Sequence, residues 1–329
     1  MTQDDHGEET YVRKFGFRRF SGIRQNRIYR VFSVSWFNLI EAIKRSGFTK
    51  MLLIFMFFSL LIQDVILILF SSFLPFGLFG ELTIEELFRG GYIDSVLGMV
   101  SLTNRVTSPL TSALGFFTSL TTVTTSFIWL LLLAQIGGGL IADDRLYMTT
   151  EMYLSRISRL EYIIGKLGSL VIFSALIVVL PALIQFFLLG GGLGLNLLPH
   201  LDLLGWALGF TISAAIFLSL FVLSISSLTT RRNFASLATF IFTLSMSILP
   251  TALGGAISTT SVFLALDFVG CLAILSLVVL GFDSVLVNNR TIALFDGNGF
   301  EAILAVISIS LVICVSLLII INFLFREDN

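Results

Sequence analysis

The chain is predicted to be an all-α polytopic membrane protein, and three observations carry that prediction. Hydrophobic residues make up 56% of its 329 residues and charged ones only 12%, against about a quarter charged in soluble domains. Apolar runs near residues 51–78, 113–141, 166–190, 204–228, 235–253 and 303–325 approach or exceed the ~20 residues that carry a helix across about 30 Å of hydrocarbon. The runs are continuously apolar rather than alternating, which excludes a barrel. A backbone in lipid must also satisfy its own hydrogen bonds, which leaves helices.

Residues 1–50 form a polar, basic arm without the pattern of a cleavable leader. Between about 22 and 47, Ile28, Phe32, Trp36, Leu39/Ile40 and Ile43 recur every three to four residues, lining one face of a helix. Arg27, Arg30, Glu41 and Lys44 fall mainly on the other surface. Two readings fit this pattern: an amphipathic helix lying in the interface with Trp36 at headgroup depth, or a juxtamembrane helix that only anchors to membrane lipid. Residues 51–329 read as one transmembrane domain, because no linker or repeat divides them.

The basic residues set the sidedness. Arg13, Lys14, Arg18, Arg19, Arg24, Arg27, Arg30, Lys44, Arg45 and Lys50 precede the first span, and Arg145, Arg156, Arg159 and Lys166 lie between the second and third. Arg231 and Arg232 lie between the fourth and fifth, and Arg326 follows the last. Placing these segments in the cytoplasm leaves only Arg89, Arg105 and Arg290 of the 20 Lys/Arg outside. The expected protein is therefore multi-pass in the cell membrane with both termini cytoplasmic. The apolar run at 262–281 has two readings, a re-entrant or surface-lying pair that leaves six spans, or a seventh span. The second would leave Asp283, Asp296 and Glu301 inside with one Arg, so the charges favour the first.

Within the spans, Gln63-Asp64 sits near the middle of the first, and an ionisable residue at that depth is a functional-site hypothesis. Asp64 either faces a translocation path or pairs with a hydroxyl or amide on a neighbouring helix. The outer half of the second span is rich in hydroxyls, with Thr121 and Thr125 as further path candidates. Gln135 and Gln185 read as interhelical hydrogen-bonding residues.

The polar insert Gly137–Lys166 is the most specific stretch. Gly137-Gly138-Gly139 permits close helix packing, and Asp143-Asp144 marks the departure from lipid. A short helix is predicted from about Arg145 to Leu154, with Leu146, Met148, Met152, Tyr153 and Leu154 exposing apolar surface that something should cover. Ser158-Arg159-Leu160-Glu161 fits a capping box, so the third helix should start there.

This string resembles the first intracellular loop of ABC-2 type transporter permeases. The matching residues are Asp143, Asp144, Glu151, Leu154, Ser155, Ile157, Ser158, Arg159, Glu161, Tyr162, Gly165 and Lys166. The chain lacks the Pro that usually precedes the Ile-Ser-Arg of that motif, and its first turn reads Met148-Thr149-Thr150-Glu151. The resemblance implies a cytoplasmic coupling helix docking on a separate ATPase (nucleotide-binding) subunit, with Asp143, Asp144, Leu146, Glu151, Met152, Leu154, Arg159, Glu161 and Lys166 in the docking loop. It further implies a second permease copy, as homo- or heterodimer, and an interface helix, here Ile28, Phe32, Trp36 and Ile43.

The chain contains no Gly-x-x-x-x-Gly-Lys-Ser/Thr loop, so no cofactor is expected on it, and ATP and Mg are expected on the partner. His6 and His200 are the only histidines, and Cys271 and Cys314 lie in apolar runs, so no metal site and no enzymatic activity are expected. No nucleic-acid partner is expected either. The leading expectation is a permease subunit of an ABC exporter. The alternatives are an ion-coupled transporter or channel using Asp64, and a non-transporting membrane scaffold.

Overall fold

The computed structural model describes residues 26–45, 47–71, 83–101, 104–106, 115–149, 157–256, 265–280, 284–287, 290–293 and 300–326. In chain order the elements are α1 (Arg27–Arg45), α2 (Gly47–Ser71), α3 (Ile84–Val100), β1 (Asn104–Val106), α4 (Gly115–Leu146), α5 (Arg159–Gly192), α6 (Leu201–Leu228), α7 (Arg232–Ala256), α8 (Phe268–Val279), β2 (Ser284–Val287), β3 (Arg290–Ala293) and α9 (Phe300–Arg326). Six of them, α2, α4, α5, α6, α7 and α9, are long and apolar enough to cross a membrane. The fold is an all-α bundle, and a small antiparallel sheet of order β1-β2-β3 is its one non-helical element among the described residues.

Helix α4 runs through the middle of the bundle, touching α2, α3, α5, α6 and α7. Its glycine triplet explains how. A Cβ on Gly137 would stand 2.4 Å from Val222 of α6 and 3.0 Å from Leu170 of α5. On Gly138 it would stand 2.7 Å from the backbone nitrogen of Ser236 on α7, and on Gly139 3.0 Å from Arg232. Three successive absent side chains thus admit three different neighbours. The Gly138 carbonyl also accepts from the Ser226 hydroxyl of α6 at 3.0 Å.

Several boundaries differ from expectation. The second spanning helix does not stop at residue 141 but continues through Leu146, so Arg145 and Leu146 end α4 rather than open a new helix. The third, by contrast, begins where its capping box predicts, at Arg159 behind Ser158 and seven residues before the apolar run at 166, and the reciprocal Ser158–Glu161 bonds are both made. The first reaches Ser71, and residues 72–78 lie outside the described residues. The run at 262–281 forms the twelve-residue α8. At 1.5 Å per residue that is about 18 Å, too short for a seventh span. Its N-cap is Asp267, whose Oδ1 accepts from Gly270 N at 2.9 Å and from the Ser247 hydroxyl of α7 at 3.1 Å. Cys271 and Cys314 are both free thiols.

Helix α3 falls in a segment whose charges predict a polar outer loop, yet every residue from Gly90 to Val100 is buried. It packs among α2, α4, α5 and α6. Phe88 and Tyr92 meet Phe186 of α5 edge to face, at 5.7 and 5.4 Å between ring centroids. Of its charged residues, Glu85, Glu86 and Arg89 are exposed and Asp94 is buried, and Thr83 and Glu86 close a capping box at its start.

Candidate functional site at the connector between α4 and α5

At the end of the bundle that carries α1, the last turn of α4 presents Asp143 and Asp144. Lys166 enters from α5, 3% exposed, and places Nζ 2.7 Å from Asp144 Oδ2. The Tyr162 hydroxyl, one turn earlier on α5, donates to the same oxygen at 2.6 Å, and the Thr149 hydroxyl donates to Oδ1 at 3.1 Å. Lys166 also donates to Asn38 Oδ1 of α1 at 3.0 Å. Asp143 faces Arg232 of α7 at 4.0 Å, and Arg232 donates to the Gln135 carbonyl at 3.2 Å. Arg145 donates to the Ser227 carbonyl at the end of α6 at 2.8 Å, with its guanidinium 5.6 Å over the Phe323 ring of α9. One carboxylate pair therefore ties α4 to α5 and α7, Lys166 carries the link on to α1, and the next residue reaches α6 and α9. A cavity of about 210 Å³ opens among Asn38, Glu41, Asp143, Asp144, Lys166 and Arg232.

These pairings give the physical reason why α4 outruns its apolar stretch. Each acid meets a cation, so the helix carries charge to its end without leaving a bare carboxylate among apolar neighbours.

Glu161 does two jobs. Its Oε2 accepts from the Ser158 backbone to close the cap at 3.2 Å, while Oε1 accepts from Arg30 of α1 at 3.1 Å and lies 3.8 Å from the exposed Arg27. Further along, the Ser35 hydroxyl donates to the Gly165 carbonyl at 2.9 Å. A Cβ on Gly165 would stand 2.8 Å from Val34, and one on Gly168 2.7 Å from Ser35. The polar and small face of α1 thus docks on α5. The predicted interface residues divide: Ile28, Phe32 and Trp36 are exposed, turned away from the protein, while Ile43 packs partly against the core.

After α4 the chain turns at Tyr147-Met148, with Met148 at φ 53, a left-handed conformation that costs an L-residue roughly 1–2 kcal/mol. Leu146, Tyr147 and Met148 are 51%, 66% and 76% exposed. Arg159 is half-buried at the start of α5. Glu151, Met152 and Leu154 lie outside the described residues, as does the side chain of Thr121. Thr125 is buried in the bundle, and Asp64 is buried on α2, where it accepts from Gln185 of α5 at 3.3 Å; both stand apart from the connector.

Asn38, Arg232 and Tyr147 belong to this site although the sequence does not single them out for it. Asn38 lies on the polar face of the amphipathic pattern, and Arg232 in a basic pair that in sequence speaks only to sidedness. Tyr147 adjoins Leu146 and Met148 of the predicted apolar surface. No protein-family model, no curated protein and no solved structure matches the chain. Fold and site define an integral, multi-pass, all-α membrane protein with six helices among the described residues long and apolar enough to cross a membrane, one end of which is a charged junction.

Proposed function

We propose that the chain is the permease subunit of an ABC exporter, similar to the ABC-2 type, whose α1 end faces the cytoplasm of the cell membrane and docks a separate ATPase subunit. ATP and Mg bind on that partner, and a second permease copy completes the translocation unit. The observation that supports this most is the exposed turn Leu146-Tyr147-Met148, standing directly on a junction that bonds α4 to α5 and α7 and, through Lys166, α5 to α1.

An apolar surface of this kind, set in charged surroundings at the rim of a membrane protein, suits a protein partner. Closure of two ATPase subunits on ATP displaces the turn. Because Lys166 and Asp144 are held at 2.7 Å, the displacement passes into α5 and α4 together, and through Asn38 and Glu161 into α1. The bundle core, packed through the Gly137–Gly139 contacts, then moves between two arrangements instead of deforming locally.

A photo-crosslinking residue placed at Tyr147 in native membranes is expected to capture a protein containing a phosphate-binding loop, and one placed at Val279, an exposed position on α8, is not. Capture of the same ATPase from both positions, or from neither, contradicts the proposal.

A further inference from the structure

Asp64 lies on α2 with 1% of its surface exposed, beside Gln63 at 2%. The hydroxyl of Ser95 on α3 donates to Gln185 Oε1 on α5 at 2.8 Å, and Gln185 Nε2 donates to Asp64 Oδ1 at 3.3 Å. The chain of bonds is directional and ends on Asp64. Oδ2 of Asp64 and both amide atoms of Gln63 are buried with no partner among the described residues.

Three elements thus meet on one carboxyl whose second oxygen is unused. A bare carboxylate at this depth has no water to solvate it, and it is stable only with a counter-charge or a proton. Among the described residues, the elements packed on α2 supply no cation here. On α5 and α4 the charged groups, Lys166 and Asp144 among them, sit at the connector, and Gln185 is roughly 19 residues, about 28 Å, further along α5 than Lys166. Those of α1, Arg27, Arg30, Glu41 and Lys44 among them, belong to that same end, where Arg27 and Arg30 pair with Glu161. On α3, Glu85, Glu86 and Arg89 are exposed, the buried Tyr92 donates to the Ala182 carbonyl at 3.2 Å, and the buried Asp94 has interactions of its own.

We propose that Asp64 is a proton-binding site within the bundle, loaded on Oδ2, and that the loaded form holds the inserted helix α3 against α2 and α5. The step is the uptake of one proton by a carboxylate, and its release returns the charge to a site with no counter-ion among the described residues, which loosens the seat of α3. Gly91 makes that seat tight: a Cβ there would stand 3.0 Å from Leu67 of α2. The inference does not depend on an ATPase docking at the other end.

The test uses the purified full chain in vesicles of neutral lipid. Infrared spectra at neutral pH are expected to show a protonated-carboxyl band that Asp64→Asn removes and Asp94→Asn leaves. Amide exchange of α3, corrected for intrinsic rates, is expected to quicken at least tenfold as pH is raised in the wild type and to stay slow throughout in Asp64→Asn. Carbon-13 aspartate labelling of the unsubstituted chain reads the same carboxyl should the variant fail to fold. A carboxyl band unchanged by Asp64→Asn overturns the proposal, as does the absence of any protonated aspartate in the labelled chain. So does α3 protection that follows sodium or potassium rather than pH.

Discussion

Lys166 Nζ lies 2.7 Å from Asp144 Oδ2 and is 3% exposed, so a buried ammonium on one spanning helix is matched by the last acid of another. Removing one member of a buried pair strands its partner, at about 3 kcal/mol or more. Lys166→Met is therefore expected to lower the unfolding midpoint of the purified protein clearly, and Asp144→Asn added to it should recover much of the loss. Two additive losses would show that the pair is not coupled.

The glycine triplet gives a second test. Gly138→Ala drives a methyl to within 2.7 Å of a backbone atom of α7, and overpacking of this kind costs about 1–3 kcal/mol. At Gly205 and Gly209 on α6 an added Cβ would meet nothing within 4 Å, and Ala there is expected to be neutral or to stabilise by about 0.5–1 kcal/mol through helix propensity. Thermal unfolding in one detergent ranks the three, and a Gly138→Ala midpoint at or above that of Gly205→Ala contradicts the packing described.

Docking of α1 rests on Glu161. Arg30 donates to it from a half-buried position and Arg27 lies 86% exposed, where an ion pair is worth little. Arg30→Ala should make α1 markedly more sensitive to limited proteolysis, and Arg27→Ala should change it little. Equal sensitivity in both variants would remove the distinction.

The cap of α3 carries a pH dependence. The Thr83 backbone N–H, and then its hydroxyl, hold the Glu86 carboxyl below its ordinary value of 4.5. A lowered folded value means the carboxylate's contribution is present above the unfolded value and is lost as pH falls through the folded one. Amide exchange in the first turn of α3, corrected for intrinsic rates, should therefore stay protected down to the ordinary glutamate range and lose protection only below it, and Glu86→Gln should remove that step.

What is legible in the sequence is mostly local. The Ser158–Glu161 box and the glycine triplet act through neighbours in the chain or through the absence of a side chain, and the span count follows from length and apolarity. The burial of α3 is not legible, because Glu85, Glu86 and Arg89 advertise a solvated loop while the apolar stretch that follows, Tyr92–Val100, is too short to read as a span. The Thr83–Glu86 box is the signal available. The period of α1 is clear, but which face docks is not: in a membrane the apolar face meets lipid and the polar face meets protein. Strand β1 pairs with β2 from the far end of the chain, and such pairing leaves no local signature. The overrun of α4 to Leu146 depends on Lys166 and Arg232 arriving from other helices.

Docking of an ATPase on the turn after α4 requires ATP hydrolysis to co-elute with the chain. Purified from its native membranes in mild detergent, the wild-type chain is expected to carry magnesium-dependent ATPase activity. The double variant Leu146→Glu, Met148→Glu is expected to elute without it while keeping the wild-type unfolding midpoint. A wild-type preparation with no ATPase activity, or a double variant that retains it in full, would rule out docking at this turn.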